Sequence, residues 1–207
     1  MKRILVVTLV VAGILLFAGF IHSPLPLKSV AYVSLAGSGF LIGYSVRLNP
    51  LLPAFGLARI GRRSILFFIP ALVLGAALGI LTRYTFDLSA LPVSLKSFVL
   101  TAPLVGATEE LIFRGYIQGY MQSIGRLFSV IYASSVHTCY KVLVILSLSI
   151  PLQFDFFFLI LWTFLGGTVF GLLKDLSRSS LPPVIAHAAF DIVLYGGLSV
   201  APVWVWS

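Results

Sequence analysis

The sequence predicts an all-α fold, a polytopic transmembrane helical bundle of about seven spans, and three observations carry that reading. Of its 207 residues, 59% are hydrophobic and only 10% charged, against roughly 45–50% and 25% in a soluble domain. The mean hydropathy is +1.09. Apolar stretches able to cross ~30 Å of hydrocarbon run at about 4–21, 30–46, 65–81, 98–120, 127–150, 154–173 and 181–200.

The first stretch follows Met1-Lys2-Arg3 and is about 18 residues long, beyond the 7–15 of a signal-peptide core, with no small-x-small site after it. An uncleaved first span is expected. Punctuation falls between the spans: Ser23-Pro24-Leu25-Pro26, a loop over 47–63 holding Pro50, Pro53, Gly56 and Gly61, and Ser179 to Pro183. The 50–60 region is apolar enough to form a re-entrant segment as an alternative. Ser179 and Ser180 supply capping chemistry for the last span, and Pro182 and Pro183 suit a first helical turn. No internal repeat or second domain is visible, so residues 1–207 read as one integral membrane domain.

With the N-terminus inside, the inner segments hold Lys2, Arg3, Arg47, Arg59, Arg62, Arg63, Arg126, Lys174 and Arg178, and the outer ones only Lys28, Arg83 and Lys96. Nine against three predicts a cytoplasmic N-terminus and an outer C-terminus. The net charge of +8 reflects scarce carboxylates, six in all, so the bases are expected to meet lipid headgroups and no nucleic-acid partner is expected. Cys139, the single cysteine, forms no intramolecular disulfide and reads as a buried small hydrophobe.

Charged side chains inside spans cost about 2.5–3.5 kcal/mol each on insertion scales, which makes them candidates for function. The chain has two glutamates, and they are adjacent: Glu109 and Glu110, in the middle of the fourth span. Helical neighbours point about 100° apart, so the two take different roles. Glu110 and Arg114, at i,i+4, are expected to pair, leaving Glu109 as the freer carboxylate. His137 lies in the fifth span and His187 in the seventh, with Asp191 four residues on and on the same face. Lys141, four residues after His137, reads as paired with an acid or snorkelling. His22 reads as interfacial, and Asp155 and Asp175 as solvated span ends. Gly106, Gly115, Gly119, Gly166, Gly167 and Gly171 suit close helix approach. The bland reading of the charges is a buried ionic staple between helices.

These residues resemble the CAAX protease and bacteriocin-processing (CPBP) family, which includes the CAAX prenyl endopeptidases. Its Glu-Glu-x-x-x-Arg motif is similar to Glu109-Glu110-Leu-Ile-Phe-Arg114, followed by Gly115-Tyr116. Its Phe-x-x-x-His motif falls on Ala133 to His137, with Ala133 in the aromatic position, and its His-x-x-x-Asn motif on His187 to Asp191, with Asp for Asn. The resemblance covers residues 98–200.

The resemblance implies an intramembrane endopeptidase in which Glu109 and His137 activate water and His187, with residue 191, stabilises the oxyanion. Glu110 and Arg114 support them. An asparagine amide donates to an oxyanion and an ionised aspartate does not, so Asp191 is expected to orient His187 instead. No cofactor is expected; zinc is the alternative, and its ligands would be Glu109, His137 and His187. The implied partners are a membrane protein, lipidated protein or peptide substrate and the lipid bilayer. Two readings from other classes use the same residues: a noncatalytic membrane scaffold and a proton-coupled transporter.

Overall fold

A bilayer offers the backbone no hydrogen-bond partner, so each apolar stretch satisfies its own N–H and C=O groups as a helix. The computed structural model describes residues 2–47, 55–57, 61–149 and 155–202. Seven helices follow one another among them: α1 (Lys2–Phe20), α2 (Leu27–Arg47), α3 (Arg62–Thr85), α4 (residues 102–121), α5 (Arg126–Leu146), α6 (Phe156–Ser177) and α7 (Leu181–Tyr195). Five of them, α1, α2, α3, α5 and α6, are long and apolar enough to cross a membrane. With α4 and α7 they make seven helices, as many as the spans expected. Apart from the turn at 55–57, the possible re-entrant segment lies outside the described residues.

α4 is composite. Ala102–Glu110 is α-helical, Leu111–Gln118 is π-helical and Gly119–Met121 is α-helical again. π-helical turns are rare and gather at functional sites. This one begins immediately after Glu110 and carries Arg114.

The sequence reading overextends the last span. α7 has 15 residues, about 22 Å at 1.5 Å each, and ends at Tyr195 rather than near residue 200. Arg83 is the physical reason: its guanidinium donates to Leu194 O at 3.1 Å and Val193 O at 3.4 Å, closing the last carbonyls of α7. At the other end of α7 the Ser179 hydroxyl accepts from Leu181 N–H at 3.2 Å, and prolines occupy the first turn. Asp155 caps α6, accepting from Phe158 N–H at 3.0 Å. Lys174 is not a loop residue; it lies inside α6 and is buried.

Packing sorts the helices around α4. One apolar cluster joins Val7, Val10 and Ile14 of α1 to Phe113 and Ile117 of α4 and to Val136 and Val144 of α5. A second joins Ala71 of α3, Phe170 and Leu173 of α6, and Ala186 of α7. α2 lies outermost, with Val33 and Phe40 exposed as a lipid-facing surface requires. Cys139 is exposed as well, against expectation, because α5 turns Val136, His137 and Tyr140 inward. α3 and α7 touch backbone to backbone at Gly75, where a Cβ would collide with the carbonyl of Ala186. Gly106, Gly115, Gly167 and Gly171 also sit at tight approaches, whereas Gly166 faces open space.

Gly75→Ala is therefore expected to overpack the α3–α7 contact by about 1–3 kcal/mol and to lower the unfolding midpoint in detergent by roughly 2–10 °C. Gly37→Ala, with nothing within 4 Å, should leave the midpoint unchanged or raise it. Differential scanning fluorimetry checks both.

Candidate active site

Three helices bring the polar side chains together. α4 presents Glu109, Glu110 and Arg114, α5 presents His137 and Lys141, and α7 presents His187 and Asp191. Glu109, Glu110 and Arg114 are at most 1% exposed, and His137, His187 and Asp191 at most 7%, so every charge must be met by a neighbour.

The two glutamates take different histidines. Glu109 Oε2 lies 3.1 Å from His137 Nε2, and Glu110 Oε1 lies 2.9 Å from His187 Nδ1. Arg114 Nη1 stands 3.1 Å from His137 Nδ1. A guanidinium only donates, so Nδ1 is the accepting nitrogen and Nε2–H donates to Glu109. Arg114 thus sets the tautomer of His137, and Phe113, stacked on the ring with centroids 4.5 Å apart, holds its plane.

Glu110 and Arg114 pair as expected, Oε2 to Nε at 3.4 Å. Glu109 is not the freer carboxylate. Its Oε1 takes Lys141 Nζ at 2.5 Å while Oε2 takes His137, because Lys141 lies one turn beyond His137 on the same face of α5. Lys141 is the one member with appreciable exposure, 24% of its side chain.

Among the described residues His187 Nε2 has no hydrogen-bond partner. It lies 4.0 Å from Glu109 Oε2 and 3.8 Å from Asp191 Oδ1. Asp191 is set against Gly106 of α4, and any side chain there would occupy the space of its carboxylate and of the His187 ring. Gly167 of α6 does the same for Arg114, where a Cβ would lie 2.9 Å from Nη2. His22 is not brought to this site; its carbonyl accepts from Ser149 at the far end of the bundle. The sequence reading passed over Gln118, which is fully buried and donates to Gly171 O at 3.0 Å. Its place one helical turn after Arg114 was the available signal.

A zinc ion at this place would need lone pairs from Glu109, His137 and His187 to converge. His137 Nε2 carries a hydrogen in this arrangement, and among the described residues no group of three His, Cys, Asp or Glu side chains is arranged to hold a metal.

Removing one partner of a buried pair strands the other. Arg114→Met is expected to cost about 3–5 kcal/mol, and Arg114→Met combined with Glu110→Gln is expected to recover part of that loss. Denaturant unfolding of the single and double variants measures the coupling; strict additivity would show that the two side chains do not act as a pair.

Residues 91–193 match the family of type II CAAX prenyl endopeptidase Rce1-like proteins. No curated protein and no solved structure matches the chain. The matched stretch contains α4, α5, α6 and nearly all of α7, and so every residue of the site just described. Through that stretch the chain matches the Rce1-like type II CAAX prenyl endopeptidase family.

Proposed function

We propose that the protein is an intramembrane endopeptidase acting on a lipidated or membrane-associated substrate, with the N-terminus cytoplasmic and without a resident metal. The observation that carries this reading is the gap between Glu109 Oε2 and His187 Nε2, 4.0 Å across. A water about 2.8 Å from each would bridge them. Glu109 Oε2 accepts one bond from His137 and keeps a second acceptor site for that water.

In the proposed reaction the water gives a proton to Glu109 as its oxygen attacks the scissile carbonyl carbon. His187, as an imidazolium whose Nδ1–H donates to Glu110, donates its Nε2–H to the resulting oxyanion. The C–N bond then breaks as Glu109 returns the proton to the leaving nitrogen, which departs as an amine. His137 and Arg114 position the Glu109 carboxylate throughout. Asp191 stands where the family has asparagine, beside Nε2 but 3.8 Å away, and fits an orienting role for His187.

A noncatalytic scaffold is the second reading, and the Lys141 clamp on Glu109 favours it. One assay separates the two. The full chain in liposomes is supplied with a quenched-fluorescent farnesylated peptide ending in a CAAX sequence. Hydrolysis is expected from the wild type, unchanged by 1,10-phenanthroline, and Glu109→Gln should lower it by about 10²–10⁴-fold while eluting as a folded species. Absence of cleavage by the wild type, or full activity in Glu109→Gln, would sink the hydrolase proposal.

Asp191→Asn adds an amide donor beside the oxyanion position. It is expected to raise kcat up to about tenfold with little change in KM. A fall in kcat would show that the hold of the Asp191 carboxylate on His187 outweighs the added donor.

A further inference from the structure

Inside the bundle the acidic pair of α4 is already balanced, Glu110 by Arg114 and Glu109 by Lys141. Lys174 is a further base with no such match. Its side chain is 5% exposed, and among the described residues no carboxylate lies within 4.0 Å of its ammonium. Its sequence neighbour Asp175 lines a cavity together with Lys174 but forms no ion pair with it, and accepts from Gln122 Nε2 at 3.3 Å. A buried ammonium that no carboxylate pairs with directly is costly, and an anion bound beside it would offset that cost.

A cavity of about 490 Å³ opens beside it, within the roughly 300–1,000 Å³ of small-molecule sites. Among the described residues its charged lining is Arg3, Arg126, Lys174 and Arg178 against Asp175 alone. Gly115 and Gly119 line its α4 side. Arg3 begins α1, Arg126 begins α5, and Lys174 and Arg178 close α6, so the cavity lies at one end of the spans, where lipid headgroups are found. Guanidinium forks match phosphate oxygens in pairs, and an ammonium supplies a point charge beneath them.

We propose that this cavity binds a phosphate-bearing anion, the headgroup of an anionic phospholipid, with Lys174 as its buried anchor and Arg126 and Arg178 at its mouth. The surrounding leaflet supplies the ligand at high local concentration. Binding compensates Lys174 and ties the end of α6 to the start of α5. Peptide hydrolysis plays no part in the site, so it stands or falls apart from the protease reading.

The test uses the full chain, purified in an uncharged detergent and freed of lipid. Its unfolding midpoint is followed during addition of short-chain phosphatidylglycerol, short-chain phosphatidylcholine or inorganic phosphate. Phosphatidylglycerol is expected to raise the midpoint saturably by about 5 °C, and phosphatidylcholine to leave it in place. Lys174→Met should abolish the rise. So should Arg126→Gln with Arg178→Gln, which alters two exposed side chains and leaves the buried packing intact. An equal saturable rise with inorganic phosphate would keep the phosphate site and assign its ligand to solution. The proposal is overturned if neither phosphatidylglycerol nor phosphate moves the midpoint, if phosphatidylcholine matches phosphatidylglycerol, or if the double arginine variant keeps the full rise.

Discussion

A carboxylate inside an apolar bundle cannot borrow water, and two adjacent ones in α4 set terms that the rest of the molecule must meet. Each needs a donor from a different direction, because consecutive side chains diverge by about 100°. Glu109 turns to α5 and Glu110 to α7, so the acidic pair dictates which helices flank α4 and in what orientation. Arg114 reaches both partners, facing Glu110 and donating to His137. The glycines follow from the same demand: Gly106 admits Asp191 and His187, and Gly167 admits the guanidinium of Arg114.

The arrangement is densely charged and poised, with Glu110 Oε2 and Arg114 Nε and Nη2 buried without a hydrogen bond among the described residues. Both Glu109 oxygens are engaged, which immobilises the carboxylate, while His187 Nε2 is left facing a gap. Rigid donors around an open position are the condition under which electrostatic stabilisation of a developing charge is strongest. The short α7 contributes as well. At about 22 Å it falls below the ~30 Å of a bilayer core, so the membrane beside the site must thin or admit water.

Hydropathy made the seven helices legible, because lipid leaves an apolar run few other options. It misplaced the end of α7, since the Arg83 cap comes from α3, far away in sequence. The Glu110–Arg114 pair was readable from i,i+4 spacing alone. The engagement of Glu109 by Lys141 and the partition of the histidines between the glutamates were not, because each depends on how separate helices rotate against one another. Cys139 shows a second limit: with lipid as solvent, an apolar neighbourhood in sequence no longer implies burial. Neither the π-helical stretch nor the inward turn of Lys174 leaves a mark in composition.

The order of the helices also bears on how the chain is made. α4 leaves the ribosome carrying two acids and an arginine, and the groups that satisfy its acids reside in α5 and α7, which are synthesised later. Until they arrive, α4 is a poor substrate for the lipid phase, with only its internal Glu110–Arg114 pair to offset its polarity. Its residence at the insertion machinery should accordingly outlast that of α1 or α3, and the apolar surface of α1 gives it a first place to dock. A chain interrupted before α7 would leave Glu110 without the imidazole that meets it.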